Sequence, residues 1–586
     1  MGDHPAHLVE PGPRAAHPAL RSGTRQGSVA RATRVAPASS PGFPRLPLGI
    51  EGEGVPRPIS RYGRVSGVPS GRRAPSAPSR SPFPAVAHRP LARHGGLRGA
   101  RGRAPGQARP IHGRPVTRRR LRKTPYSKGD NVADLNGSVT LEAIDAPLVR
   151  RSDVVVVGGG PAGVSAAVAA ARAGADVTLL ERYAALGGLA SGGMVLVLDD
   201  MCNADEITVT GVVDEYVERM AAMDLAVYPP PEERVSSPEA WAKWSRWGAF
   251  DFHSHASPKP ICYAVAFDPD GWKRVSNDLV RESGVHLRLH SWFSRPVVQD
   301  GAIKGVVCET KAGPQAVLGD VVIDTSGDID VASRAGAPFT EGRYIVTLVS
   351  RLGGVDTDAA QRFETENPRE FRAVNRKIKR MLGGAWDLWW LKTPVPGVVW
   401  CNCPHLTGYD GADPTSLTEA EFDARARMGA VVEYARQYLP GFEDCYLLDV
   451  AEQMGVRQTR LLDGEYVVTK DDIVSRRHFP DTVARGRDYY YPYRSFVPRS
   501  VDQLLVAGRH YSATPDAQRM SREIPPCMAM GQATGIAASI AADRGILVRD
   551  VPVGDVRKLM REQGADPGDI PSENATIDET NSEAAA

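Results

Sequence analysis

The first sustained apolar run in this chain of 586 residues is Val154-Val155-Val156-Val157, behind Asp153 and ahead of three glycines. Consecutive β-branched residues without polar alternation predict a strand buried on both faces, the pattern of a parallel sheet. From Val164 to about Ala173 the chain is almost all Ala, Val and Ser, which predicts a helix packed closely on that sheet, with Gly174 ending it. A second strand is predicted at Asp176 to Leu180. Further along, the patterns predict helices at Val212 to Met223, Pro238 to Trp247, Asp268 to Ser283, Pro368 to Met381 and Leu417 to Tyr438. Asn367-Pro368 reads as a cap and first helical position. Val285 to Leu289 alternates as a strand, and Pro296 to Asp300 and Ile303 to Glu309 flank a turn at Asp300-Gly301. Strands are also expected at Val321 to Asp324, Tyr344 to Arg351, Val398 to Cys403 and Leu504 to Ala507, with a last small-residue helix beginning near Cys527. Strands alternating with helices indicate an α/β chain. No internal repeat is visible, and no stretch of about 18 apolar residues predicts a membrane-spanning helix.

Charge divides the chain in two. Residues 1–128 hold 25 of the 72 Lys and Arg but 4 of the 69 Asp and Glu, a net charge near +21, and the remainder is near −18. The arm is rich in Arg, Pro, Gly, Ala and Ser without apolar periodicity, so disorder is expected of it. Its basic run Arg118-Arg119-Arg120-Leu121-Arg122-Lys123 suits an acidic surface or nucleic acid. A solvated linker, or a stretch translated upstream of the real start, accounts for it equally simply, and nucleic acid is not expected as the main partner. It lacks the apolar run of a secretory signal, and its length and Pro content weigh against a transit peptide. The seven cysteines form no CxxC pair, so free thiols and a cytoplasmic location are expected. Cys401-Asn402-Cys403 offers a metal or redox pair on paper, but too few further ligands stand near it, and a strand with both cysteines on one face is the expected arrangement. No metal is expected.

The chemistry begins at Gly158-Gly159-Gly160-Pro161-Ala162-Gly163, a G-x-G-x-x-G between a strand and a helix. Gly158 permits the tight turn, Gly160 lets the main chain approach a pyrophosphate, and Gly163 lets helix and strand pack closely. The helix start directs free N–H groups and a positive dipole at phosphates. Glu181 closes the second strand, 18 residues after Gly163, where a carboxylate can accept from ribose hydroxyls. These features predict a dinucleotide without choosing between FAD and NAD.

The segment that follows, Glu181-Arg182-Tyr183-Ala184-Ala185-Leu186-Gly187-Gly188-Leu189-Ala190-Ser191-Gly192-Gly193, is a second Gly-rich turn. With it the sequence resembles the FAD-dependent oxidoreductases related to fumarate reductase and succinate dehydrogenase flavoproteins, most closely a bacterial group carrying E-R-Y-x-x-L-G-G-x-A-(S/T)-x-G. Val321 to Asp330 resembles that family's apolar strand ending in Gly-Asp (Gly327-Asp328). Leu504 to Arg509 followed by Arg519 to Gly535 resembles its C-terminal R-x-x-P-x-C-M-A-x-G-x-A-x-G segment. The resemblance implies a Rossmann-type FAD-binding domain, glutathione-reductase-2-like, assembled from residues 150–200, 266–335 and 496–546. An α+β substrate or cap domain from 201–265 and 336–495 is inserted in it, and 547–586 form a C-terminal tail. It implies FAD held by the two Gly-rich turns, by Gly327 and Asp328, by Gly508 and Arg509, and by Cys527 and Met528, where the helix start faces the flavin N1 and C2 carbonyl. Leu189-Ala190-Ser191 stand where succinate dehydrogenase relatives carry a flavin-linking His, so non-covalent FAD is expected.

Flavin chemistry needs orientation, charge and a proton relay from the protein. Arg519 and Arg522 could clamp a carboxylate or stabilise an enolate, or simply pair with Glu523. His510 could act as acid or base, or cap its strand. Cys527 at a helix start could be a reactive thiol, though a small residue packed under the flavin is the expected role. Tyr489, Tyr490, Tyr491 and Tyr493 could line a substrate cavity or a core. Trp241, Trp244 and Trp247 share one helical face and suit a core stripe better than an aromatic site. His253 and His255 lack a third metal ligand. The expected function is hydride transfer between a small organic substrate and FAD, with an electron acceptor and oligomeric state the residues do not specify. A monooxygenase using NAD(P)H and O₂ is the alternative. A flavin-carrying nucleic-acid binder using the arm is a third reading.

Overall fold

The structure is a computed structural model, and it describes residues 143, 145–203, 206–235, 237–249, 263–384 and 387–578. The basic arm, His253 and His255 lie outside the described residues.

The valine run forms β1 (Leu148–Val157), which leads through the glycines into α1 (Pro161–Arg172) and then β2 (Val177–Leu180). Val154 to Val157 are at most 4% exposed, as a strand covered on both faces requires. β1 pairs in parallel with β2, Val154 opposite Val177 and Val157 opposite Leu180. The helix α2 (Pro269–Glu282) is capped by Asp268, whose side chain accepts from Asp270 N, and it returns the chain to β3 (His286–Arg288), parallel to β2. The chain then forms β4 (Trp292–Gln299), β5 (Ala302–Thr310) and β6 (Gly313–Asp324), an antiparallel meander. Asp300 and Gly301 both take positive φ, 52° and 79°, as a two-residue hairpin turn demands.

β6 does two jobs along its length. Gly313 to Leu318 pair with β5 on one side, and Ala316 to Asp324 pair in parallel with β1 on the other. Its far end also takes β7 (Leu504–Val506), Val506 opposite Asp324. Segments 180 residues apart in sequence thereby close one sheet, with the carboxyl ends of β1, β2, β6 and β7 along one edge.

α3 (Ile524–Arg544) packs across α1, and its residues Ile524 to Ala541 are buried all round. Small residues make this possible. A Cβ at Gly531 would lie 2.1 Å from the Ala162 carbonyl oxygen, and one at Gly535 would lie 2.2 Å from that of Ala166. The helix starts at Ile524, three residues before the expected Cys527, because Pro525 and Pro526 fit a helix's first turn. α1 likewise starts at Pro161 and not Val164.

A second apolar core, with Leu352, Ile378, Trp390, Met428 and Phe442, lies under an antiparallel sheet. That sheet runs in the order Trp390–Lys392, Val399–Cys401, Ser350–Gly353, Tyr446–Val450. The expected strand at Tyr344 to Arg351 is two short strands, Val346–Thr347 and Ser350–Gly353, in different sheets. The strand expected to reach Cys403 ends at Cys401, though both thiols are buried in this core. The helix Pro368–Met381 has the expected bounds, yet Asn367 makes no side-chain cap bond. The long helix begins at Pro414, where Asp413 accepts from Ser416 N at 2.8 Å, and not at Leu417. The tryptophan stripe is broken. The helix ends at Trp244, Trp241 is 43% exposed, and only Trp244 is buried, donating to Glu233 at 2.7 Å.

The stretch expected as a tail folds back. Helix Val553–Glu562 buries Val556 and Met560, and Asp566 N donates to Thr210. Among the described residues no helix is long and apolar enough to cross a membrane.

Candidate functional site

The three fingerprint glycines are required for different reasons. Gly158 has φ +109°, and a Cβ there would lie 2.4 Å from the Thr325 carbonyl oxygen. A Cβ on Gly163 would lie 1.8 Å from the Gly158 carbonyl oxygen. Both are therefore fixed by the folded chain itself. Gly160 has ordinary backbone angles and its nearest neighbour, Gly188 Cα, is 4.0 Å away. Nothing in the protein excludes a side chain at 160, so the open space beside it is the observation that fits a phosphate against the main chain. Behind it lie the first-turn amides of α1, which have no partner within the helix.

Glu181 holds the two Gly-rich turns in register. One carboxylate oxygen accepts from Gly159 N at 2.6 Å, the other from Tyr183 N at 2.8 Å. Gly187 N donates to Gly159 O at 2.7 Å, and Gly188 takes φ +48° to pass within reach of Gly160. The Arg182 guanidinium lies over the rings of Tyr183 and Trp292, at 5.0 and 5.2 Å.

At the end of β6, Asp324 is fully buried and organises the next loop. It accepts from Ser326 N and Oγ, and from Val331 N and Ala332 N at 3.0 and 2.8 Å, capping the short helix Asp330–Arg334. This leaves Gly327 and Asp328 projecting beside β1. Burial pushes the Asp328 carboxyl up, but Arg509 at 3.1 Å and the Thr459 hydroxyl at 2.7 Å outweigh it and hold it below the ordinary range. Asp324 was missed from the sequence, although a carboxylate at the end of an apolar strand is itself the signal. Asp324→Ala strands two buried amides, and the expected destabilisation is about 3–5 kcal/mol, measured by urea unfolding.

These segments meet around a cleft of about 530 Å³. Its wall includes Gly158, Gly160, Pro161 and Ala162 from the first turn, and Glu181, Arg182, Gly188 and Leu189 from the second. Gly327, Asp328, Gly508, Arg509, His510, Arg522 and Cys527 complete it. Gly159, Gly163, Gly187, Ala190, Ser191 and Met528 are absent from that wall and support it from behind. Ala190, Ser191 and Met528 are at most 3% exposed, and Ser191 Oγ donates to Leu186 O.

The α3 start offers fewer donors than expected, because Pro525 and Pro526 have no N–H. The dipole remains, with Ile524 N as the free amide. Cys527 Sγ lies 3.2 Å from Arg522 O, and burial, with Glu523 adding to it, pushes the thiol up to about 12. A thiol held in this way is disfavoured as a thiolate. His510 is 1% exposed, its Nε2 lies 3.2 Å from the Asp324 carbonyl oxygen, and burial lowers its pKa. The ring ties the segment after β7 to β6.

A second cavity of about 380 Å³ adjoins the cleft and shares Leu189, Val195, Arg522 and Glu523 with it. Arg522 pairs with Glu523 at 3.4 Å. Arg519 lies in this cavity's wall and not in the cleft's, paired with Asp516 and 5.1 Å over the Tyr344 ring. The tyrosines read as lining either a cavity or a core are in neither wall. Tyr489, Tyr491 and Tyr493 are buried, and their hydroxyls donate to Asp200, Ser521 O and Val548 O. The cavity is instead lined by Asp199, Trp389, Trp400, Asn402, His405 and Arg457, none of which local pattern singled out. Among the described residues no group of three or more His, Cys, Asp or Glu could hold a metal.

Solved structures similar to this chain include a geranylgeranyl bacteriochlorophyll reductase-like protein from Thermoplasma acidophilum. It is 14% identical over 71% of this chain and 84% of that one, with TM-score 0.39. Another is p-nitrophenol 4-monooxygenase from Pseudomonas putida, 14% identical over 71% and 84%, TM-score 0.36. A third is L-amino acid deaminase from Proteus vulgaris, 13% identical over 66% and 90%, TM-score 0.35. Likeness at this level carries no substrate across. No curated protein matches the sequence. The model of the FAD dependent oxidoreductase family matches residues 153–490 and 485–560, well over half of the chain and including both Gly-rich turns and α3. The chain belongs to that family and is an FAD-dependent oxidoreductase.

Proposed function

We propose that FAD binds without a covalent link in the larger cleft and that the smaller cavity receives an organic substrate, which exchanges a hydride with it. The pyrophosphate lies at Gly158 to Gly160 and the α1 start, where the space beside Gly160 supports it. Each Glu181 oxygen accepts one amide and keeps a lone pair for a ribose hydroxyl. Leu189, with Ala190 and Ser191 behind it, offers no flavin-linking nucleophile. The motif resemblance favours the fumarate reductase and succinate dehydrogenase relatives, and with them the glutathione-reductase-2-like arrangement of discontinuous FAD segments around a cap. Bound FAD supplies the two-electron chemistry. The chain's own residues then do the rest. Arg509 and Asp328 fix the cleft's charge, Arg522 and Glu523 stand on the wall common to both spaces, and Arg519 stands in the cavity wall for an anionic group. His510 supports this edge as a positioning residue.

The shared wall is the observation that carries the reading, since it sets a ligand-sized cavity against the cofactor cleft. The test is an absorption spectrum of the purified protein, followed by anaerobic addition of candidate substrates. Bleaching of the band near 450 nm by an organic substrate without NAD(P)H is the expected result. NADPH oxidation that depends on both O₂ and substrate would establish the monooxygenase reading instead.

A further inference from the structure

Arg457 has neutral partners throughout. Its Nη2 donates to His405 Nε2 at 2.8 Å and to Asn402 Oδ1 at 3.2 Å, and its Nε donates to Thr347 Oγ1 at 3.3 Å. Its Nη1 donates to no described residue, and no described carboxylate lies within ion-pair distance. Other arginines near the two spaces or in the cap differ. Arg351 pairs with Asp268 and Asp449, Arg509 with Asp328, and Arg522 with Glu523. Because Arg457 donates to Nε2, the His405 proton sits on Nδ1. Burial, then Arg457 and Arg522, hold that ring neutral by lowering its pKa to about 2. Burial, with Arg522 adding to it, pushes the Arg457 guanidinium itself down to about 10. It is a cation under electrostatic stress in the wall of a cavity.

Glu523 and Asp199 act on Arg457 from beyond ion-pair distance and offset burial only in part. Glu523 pairs with Arg522, and Asp516 with Arg519. Asp199, 8% exposed, accepts no hydrogen bond from a described residue, and burial, then Glu523 and Asp200, raise its pKa well above the carboxylate range. Arg457 therefore stands in the cavity wall with neutral hydrogen-bond partners and without a carboxylate in ion-pair contact among the described residues. The remaining wall joins an apolar part, with Val195, Val197, Ile345, Val349 and Trp400, to polar residues that include Thr347, Asn402 and Lys470.

Taking the cavity as the substrate site, we propose that it is built for an organic carboxylate, whose charged end pairs with Arg457 while its apolar body lies against Trp400, Val197 and Val349. A planar guanidinium with a free N–H edge matches a carboxylate, and the apolar part of the wall suits an organic body better than a heavily hydrated ion such as phosphate. Asp199, whose pKa burial raises, stands in the same wall.

The test uses the full chain loaded with FAD and titrates benzoate, phenylacetate, acetate and succinate, with benzamide as the neutral isostere and inorganic phosphate as the small anion. Perturbation of the flavin band near 450 nm reports binding. At least one carboxylate is expected to saturate, with benzamide and phosphate much weaker. Arg457→Gln should weaken the carboxylate about 30-fold, as loss of a desolvated charge partner does, and Arg457→Lys should recover part of it, with the FAD content of both unchanged. Carboxylate affinity should also fall as pH rises and Asp199 ionises. Asp200, Glu523, Arg487, Arg522 and Arg457 surround that group, and Asp199→Asn should flatten the pH profile, which a merely structural role would not do. The proposal is overturned if benzamide or phosphate binds as well as the carboxylates, if no carboxylate perturbs the loaded protein, or if Arg457→Gln binds them undiminished. A protein that takes up no FAD would instead defeat the underlying assignment of the two spaces.

Discussion

Gly160→Leu gives a folded, colourless protein. FAD affinity falls at least about 100-fold, equivalent to about 2.7 kcal/mol, while the melting temperature of the cofactor-free protein stays within a few degrees of the unsubstituted apoprotein. The asymmetry follows from the geometry. A Cβ at 160 meets no protein atom closer than 4.0 Å, so the fold tolerates the side chain. The phosphate does not, because the side chain fills the space through which it would reach the α1 amides. Gly163→Ala is the contrast, since its Cβ would sit 1.8 Å from the Gly158 carbonyl oxygen and damage the turn with or without ligand. The ratio of absorbance at 450 and 280 nm after incubation with excess FAD decides the matter. A Gly160→Leu protein that stays fully yellow would remove the pyrophosphate from this turn. Apo and loaded samples must be compared separately, because ligand binding alone raises the melting temperature.

The second large effect is on stability, and it comes from one substitution made at two helical glycines. Gly531→Ala should cost at least about 2–3 kcal/mol, because its methyl would lie 2.1 Å from the Ala162 carbonyl oxygen and would force α1 and α3 apart. Gly429→Ala should stabilise by about 0.5–1 kcal/mol. That glycine lies inside the helix Pro414–Tyr438 with nothing within 4 Å of its missing Cβ, so alanine gains helix propensity without a clash. Urea unfolding of both variants reads the sign directly. Equal effects would mean that close approach of α1 and α3 is not what Gly531 provides. Separation of these helices would also displace Cys527 and Arg522 from the cleft wall, so FAD loading should fall along with stability.

Several residues were legible from local pattern because their constraints are local. The valine strand, the three glycines and Glu181 lie within 30 residues, and a turn, a buried strand and a helix start each leave a signature of a few positions. The helix Pro368–Met381 was legible in the same way, through its amphipathic period and leading proline. Errors of a turn at helix starts, at Pro161, Pro414 and Ile524, have one cause. Proline reads as a breaker in a local window, yet it fits a helix's first turn, where N–H groups lack acceptors anyway.

The roles of polar groups were less legible, since they depend on what burial brings to them. His510 reads as an acid or base from its neighbours in sequence, but β6 brings the Asp324 carbonyl to its ring. The four tyrosines read as a possible cavity lining, but partners at Asp200, Ser521 and Val548 bind three of their hydroxyls inside the core.

By itself the sequence determined the strand-turn-helix with its glycine fingerprint and, through its resemblance to known flavoproteins, the cofactor. Those constraints act between residues close along the chain or recur as compact motifs. Only the tertiary structure decided where the second cavity opens, because Asp199, Trp400, His405, Arg457 and Arg522 come from segments spread over more than 300 residues. No local period joins them. Their meeting depends on how the smaller sheets pack against the larger cleft, and the neutral partners that Arg457 finds among the described residues are a property of that packing.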